Sequence, residues 1–313
     1  MIIRTIYLLL FSVFLFSACS STKKAAQKDD MLKYKVLVVN GQNNHNWEIG
    51  SSALKQIFEG SGLFTVSVAT SPEKGADMNS FKPNFSAYDL IVLDYNGDEW
   101  CDETKTNFVD YVNNGGGVFV MHAADNSFPK WPEYNEIIGL GGWGQRNEKD
   151  GPYVYYKNGE IVRDNSPGRG GAHGKQHEYL VKTCEPNHPI MKGLPEEWLH
   201  AQDELYHGLR GPAKNMTILA TAYSAPSTKS KNKFHPTGRD EPALMIINYG
   251  KGRVFHTIMG HASEKNQAMK CAGFIVTSLR GAEWAASGKV TQDIPKSHPT
   301  KIEVCLWEDY TEN

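Results

Sequence analysis

Three apolar runs, each closed by residues that carry chemistry, set the narrowest limit on the fold. They are "KYKVLVVNG" (33–41), "YDLIVLDY" (88–95) and "GVFVMH" (117–122). Strands that are apolar at nearly every position are buried on both faces, as in a parallel sheet covered by helices. The intervening segments fit that reading. "SSALKQIFEGSG" (51–62) has Ala53, Leu54, Ile57 and Phe58 at helical spacing, with Ser51 or Ser52 to cap it and Gly60-Ser61-Gly62 to stop it. "FTVSVAT" (64–70) alternates as a strand, and "DETKTNFVDYVNNGGG" (102–117) is a second amphipathic helix with a glycine stop. Strand–helix alternation of this kind predicts an α/β fold with a mostly parallel sheet. Ligands in such sheets bind beyond the carboxyl ends of the strands. Here the ends are Asn40-Gly41, Asp94-Tyr95 and Met121-His122, which places "NNHNW" (43–47), "NGDEW" (96–100) and His122 around one cleft.

Further along, "WPEYNEIIGLGGWG" (131–144) reads as a helix followed by a Gly/Trp-rich loop. Residues 144–172 are polar, with Pro152, Pro167 and many glycines, and predict a long loop insertion over the cleft, mobile unless a ligand packs on it. "HEYLVKTC" (177–184), "MTILATAYS" (216–224) and "PALMIINYGKGRVFHTIMGH" (242–261) supply strands, the last a hairpin turning at Gly250-Lys251-Gly252. "NQAMKCAGFIVTSLRGAEWAA" (266–286) predicts one closing helix, and 289–313 is a polar tail.

The N-terminus is read as separate from the fold. Arg4, the short apolar run "IYLLLFSVFLF" and "SAC" form a signal-peptide pattern, with an apolar stretch below the roughly 20 residues of a spanning helix. "LFSAC" resembles a bacterial lipoprotein signal. The expectation is a signal peptide at 1–18, lipidation of Cys19, a disordered tether at 19–32, an α/β domain at 33–288, and a lipid-anchored protein outside the cytoplasm, in the periplasm or on the outer membrane. A net charge of −2 and the lack of a basic stripe argue against nucleic acid as partner. Contact with the membrane is expected through the anchor alone. Cys101, Cys184, Cys271 and Cys305 form no CxxC pair, which leaves no zinc-ribbon or redox motif.

"KVLVVNGQNNHNW", "GGGVFVMHAA", "NHPIMKGLP", "DELYHGL" and "YGKGRVFHTIMGH" occur in an order that resembles the ThuA-like (trehalose utilisation) family, from about Lys35 to Trp284. That family is similar in fold to the class I glutamine amidotransferases, so the resemblance implies a flavodoxin-like three-layer sandwich. The amidotransferases carry a cysteine at the turn after the strand. His122 stands there in this chain, and Cys101 precedes a helix, so glutamine hydrolysis is not expected. The resemblance implies a role in sugar catabolism with 3-keto-glycosides as substrate class. It also implies that a divalent metal such as zinc can be bound, with no ligand set assigned.

The candidate site follows from these two sources. A ketone at C3 of a glycoside acidifies the proton on C2, and a base can remove it to start elimination, hydrolysis or isomerisation. His122, at a strand end and with an ordinary pKa near neutrality, is the expected base. Asp125, three residues on, is expected to orient His122 or a sugar hydroxyl, or else to cap the next helix. By the family match, His177 is favoured over His173, and "DELY" brings in Asp203 and Glu204. Adjacent acids on a strand point to opposite faces, so one of the two is expected in the cleft as acid or substrate anchor. His45 and His261 lie at strand ends on the same rim and, with His177, would stabilise an oxyanion directly or through a metal. Trp47, Trp143 and Tyr206 are expected either to stack on the sugar or to pack in the core. His256 is expected in the core, His188 in a turn, and His235 and His298 in solvent. The alternative function is that of a non-catalytic carbohydrate-binding lipoprotein with the same polar rim.

Overall fold

The computed structural model describes residues 34–226 and 236–307. Its elements are β1 (Tyr34–Asn40), α1 (Trp47–Gly60), β2 (Phe64–Thr70), β3 (Leu90–Leu93), α2 (Asp102–Asn113), β4 (Gly117–Met121), α3 (Pro132–Ile138), β5 (Tyr153–Lys157), β6 (Glu160–Asp164), β7 (Ala172–His173), β8 (His177–Thr183), β9 (Glu197–Asp203), β10 (Tyr206–His207), β11 (Met216–Tyr223), β12 (Asp240–Tyr249), β13 (Gly252–Thr257), α4 (Gln267–Lys270) and α5 (Ala272–Ser287). The main sheet runs β2-β1-β3-β4-β13-β12-β11-β8-β9, with β5 and β6 attached beside β12. From β2 to β13 the pairings are parallel. From β13 outward through β12, β11, β8 and β9 they are antiparallel. The parallel half has the flavodoxin-like order expected from the alternation.

Neighbouring residues of β13 show the three layers. Side chains alternate across a strand, and Phe255 packs against Gly281 of α5 while His256 donates from Nδ1 to the Ile138 carbonyl at the end of α3 (2.8 Å). α3 and α5 therefore cover opposite faces. α1 joins the α5 face through Phe58 on Phe119, and α2 joins the α3 face through Phe108 on Tyr134 and Trp131. β3 and β4 are buried along their whole length, which is what their unbroken apolar sequence requires.

Four expectations are corrected. α1 starts at Trp47 and not near Ser51, because Asn46 caps it by accepting from the Ile49 amide. The closing helix is two helices, since Cys271 turns extended between α4 and α5 and bridges Leu306. Residues 144–172 are not a structureless loop but carry the β5–β6 hairpin and β7. The hairpin is held by the fully buried Arg210, whose guanidinium lies 3.6 Å from the Tyr153 ring centre and donates to the Gly151 carbonyl. The tail up to Trp307 folds back onto the domain, with the Leu199 amide donating to Thr300 and the Trp307 amide to Lys270. The signal, the tether, Cys19 and His235 lie outside the described residues. Among the described residues no helix is long and apolar enough to cross a membrane, and Cys101, Cys184 and Cys271 are free thiols.

Candidate active site

β4 ends at Met121, and the next residue, His122, has φ of 46°, a left-handed backbone at a non-glycine position. Such a conformation costs on the order of 1–3 kcal/mol and persists where surroundings enforce it. Here the His122 Nδ1–H donates to the Ile258 carbonyl (2.6 Å) and the ring stacks on Tyr206 with centroids 4.2 Å apart. The bond fixes the tautomer, so Nε2 carries the lone pair.

His45 arrives on the loop after β1. Its amide donates to Asn43 Oδ1 (3.1 Å), and Asn43 Nδ2 donates to Asp94 Oδ1 (3.1 Å) just beyond β3. Ser51 of α1 donates to Asp94 Oδ2 (2.9 Å) and accepts from Asn40 (2.8 Å). Burial pushes the Asp94 carboxyl up to about 7 against these neutral donors. The carboxyl ends of β1 and β3 are thereby tied to each other and to α1.

Glu204 follows β9. Asp203, the last residue of that strand, is fully buried and accepts from the amides of Glu204 (2.7 Å), Gly260 (2.8 Å) and His261 (3.2 Å), and from His200 Nε2 (2.9 Å). One carboxylate thus clamps the end of β9 to the turn carrying His261, while its neighbour enters the site.

His45, His122, Glu204 and His261 converge, each offering one atom within 4.8 Å of the others. Glu204 Oε2 is 3.2 Å from His261 Nδ1 and 3.7 Å from His122 Nε2. The shorter contact is misaligned and the longer is beyond hydrogen bonding, so all three buried atoms lack a hydrogen-bond partner. Burial opposes charge on Glu204, yet His122 and His261 outweigh it and hold the carboxyl well below the usual range. Burial, followed by the positive potential of His122 and His261, drives His45 down to about 3. Burial also opposes charge on His122, but Glu204 and Asp203 more than offset it and raise its pKa. Three imidazole nitrogens and one carboxylate oxygen form a donor set that suits a divalent cation.

Beside the cluster lies a cleft of about 360 Å³ lined by Asn44, Asn96, Asn126, Trp143, His173 and Tyr206, among others. Asn126 Oδ1 is buried there without a partner. Tyr206 joins cleft and cluster: its hydroxyl is 3.1 Å from His45 Nε2, and its ring lies 4.7 Å from that of Trp143. His173 stands at the open edge, 3.6 Å from Glu204 Oε1, and its Nδ1 donates to the Gly174 carbonyl (2.8 Å), leaving Nε2 as acceptor.

The structure brings together His45, His122, Glu204, His261, Tyr206 and Trp143, with Asp203 directly behind. It does not bring in His177, whose exposed ring bonds back to Lys175; His173 takes that place through the β7–β10 ladder, which pairs it with Tyr206. Asp125 neither lines the cleft nor caps α3, which starts after Trp131. Its carboxylate is fully buried 3.5 Å from His256 Nε2, because the turn after His122 points it under the sheet end. Trp47 lines a neighbouring depression instead of the cleft, since it opens α1. His122 itself, 2% exposed, faces Glu204 and not the cleft. His298 is half-buried on Trp198, where solvent was expected. Asn44 and Asn96 belong to the two segments expected around the cleft, whereas Asn126, five residues past the end of β4, is not singled out by the sequence.

Fold and site define an α/β protein of the flavodoxin-like class with a histidine-rich centre at its strand ends. The chain belongs to the ThuA family, described as trehalose utilisation, whose family model matches residues 35–285. It is similar to a ThuA-like protein from Parabacteroides merdae, at 53% identity and TM-score 0.86, over 90% of this chain and all of that one. A ThuA-like protein from Bacteroides uniformis shares the fold at 19% identity and TM-score 0.56, over 85% of this chain and 98% of the other. Comparison with curated proteins gives no match.

Proposed function

We infer that the protein processes a sugar bearing a ketone, with 3-keto-glycosides as the substrate class, by proton transfer beside the carbonyl. The observation that carries this reading is an ionised carboxylate, Glu204, ringed by histidines at the end of a cleft that offers an indole face and three side-chain amides. Aromatic faces suit the C–H face of a pyranose, and amides suit its hydroxyls. The base is His173. Its Nε2 is an acceptor at the open edge, whereas His122 is turned away from the cleft, which moves the base role from the strand-end histidine to the insertion. His173 takes the C2 proton, the C2–H electrons form the enediolate with C3, and collapse breaks the C1–O bond. The proton then passes from His173 to the departing oxygen, so no redox partner is needed. Return of the proton to carbon instead gives the isomer.

The test is a 3-keto-glucoside incubated with the protein in D₂O and followed by NMR. Loss of the C2–H signal with release of the aglycone is the expected result. No exchange and no release, with tight binding of the unmodified glycoside, would replace this reading with that of a carbohydrate-binding protein. The same reading places the protein outside the cytoplasm on a lipid at Cys19. Mass spectrometry of the membrane fraction should find a diacylated N-terminal cysteine, and C19A should abolish it.

A further inference from the structure

We propose that His45, His122, His261 and Glu204 form a divalent-cation centre of the zinc and cobalt class, with a fifth coordination position open toward the cleft. Side-chain geometry points to this centre independently of the keto-glycoside reading. Buried polar atoms in folded proteins are nearly always paired. Here three of them, His122 Nε2, His261 Nδ1 and Glu204 Oε2, have no hydrogen-bond partner and point at one another. Lone pairs aimed at a common point repel unless a positive centre lies between them. Donors around a tetrahedral ion with bonds of roughly 2.0–2.1 Å stand about 3.4 Å apart. The 3.2 Å and 3.7 Å separations from Glu204 bracket that value.

The supports around the four residues are of the kind that metal centres use. A ligating histidine donates its other ring N–H to a carbonyl or carboxylate, which fixes ring and tautomer. His122 does this with the Ile258 carbonyl. His261 is held through its backbone amide by Asp203, a carboxylate that also fixes Glu204 through the adjacent amide. A mostly imidazole donor set favours zinc, cobalt or nickel over magnesium or calcium, which want oxygen ligands. The side chains of His261 and Glu204 are 15% and 12% exposed. That narrow exposure is where water, or a substrate oxygen, completes the shell. Bound there, the cation would polarise a carbonyl or acidify a water.

The experiment measures metal and not turnover. Full-length protein is stripped with chelator, checked for unchanged circular dichroism, and titrated separately with Zn²⁺, Co²⁺ and Mg²⁺. Calorimetry and metal analysis after dialysis give stoichiometry, and the visible Co²⁺ spectrum reports nitrogen and oxygen ligation. One equivalent of Zn²⁺ or Co²⁺ per chain is expected, with Mg²⁺ far weaker. H261A and E204Q, both at partly exposed positions, should each weaken binding by more than the roughly 10–100-fold typical of losing an outer supporting group. H177A, outside the cluster, should bind as wild type does. Failure of the stripped, folded protein to take up either ion would overturn the proposal, and so would uptake unaffected by H261A and E204Q. Zinc uptake without any reaction on keto-sugars would leave this centre standing and remove the keto-glycoside reading; turnover by protein that takes up neither Zn²⁺ nor Co²⁺ would do the reverse.

Discussion

Asp94 and Asp203 are both buried aspartates at strand ends, one in the parallel half of the sheet and one in the antiparallel half, and they are held in opposite states. Burial pushes Asp94 up to about 7, because its partners Ser51 and Asn43 are neutral. Burial opposes charge on Asp203 as well, but His200, then His122 and the Gly260 amide, hold it below its ordinary value. In the parallel half the topology already brings strand ends to one edge, and neutral hydrogen bonds suffice to align the loops. In the antiparallel half nothing in the topology brings β9 to the turn at Gly260, and a charged clamp supplies the connection.

The comparison can be broken at four points. The largest effect is expected where the antiparallel side hands a residue to the chemistry. H173A should lower kcat on a 3-keto-glucoside by about 10²–10⁴-fold, the usual weight of a general base, while H177A stays near wild type. Equal loss in both would return the base role to the strand β8. D203N comes next. It leaves His200 buried without its anion, and removing one partner of a buried ion pair costs about 3–5 kcal/mol. Urea denaturation at pH 7 should show that loss. Because the Asp203 pKa is depressed on folding, its contribution is full above the unfolded value near 3.9 and fades as pH falls through the folded one. The wild-type advantage over D203N should therefore shrink in acid.

D94N should behave in the opposite sense and more gently. A carboxyl raised on folding stabilises below its unfolded value of about 3.9 and loses that contribution as pH rises toward about 7. Wild type should weaken over that window by up to about 1.4 kcal/mol per pH unit relative to D94N. A wild-type advantage over D94N that shrinks in acid, as for D203N, would erase the contrast between the two halves. The smallest effect belongs to W143A. Loss of a ring in the cleft should weaken glycoside binding by about 0.5–1.5 kcal/mol, read by calorimetry, with the melting temperature little changed because Trp143 is only half-buried.

The same division explains what was legible in the sequence. β1, β3 and β4 announce themselves because a strand buried on both faces is apolar throughout, and the ends of β1 and β4 bring His45 and His122 into one cluster. Glu204 and His261 were legible as polar residues at strand ends. The identity of the second-half histidine was not. His173 enters the site because β7 pairs with β10, a register between residues 33 apart that leaves no periodic mark, and His177 is left exposed at the first position of β8, where the register shifts before Tyr179. The break at Cys271 depends on Leu306, and the β5–β6 hairpin depends on Arg210. Both are pairings across distant parts of the chain, written in residues that individually read as helix or loop.

The positive φ at His122 has an evolutionary consequence. A backbone held in that region screens substitutions by shape before chemistry is tested. β-Branched side chains are the worst fit, and glycine or asparagine the easiest in backbone terms. The turn therefore works as a fixed mount that accepts a short menu of tools. Descent within such a fold can exchange a thiol for an imidazole there without rebuilding the strand or the turn, so the reaction can change while the scaffold is inherited intact. A saturation library at position 122, scored for folding apart from activity, would display that menu directly.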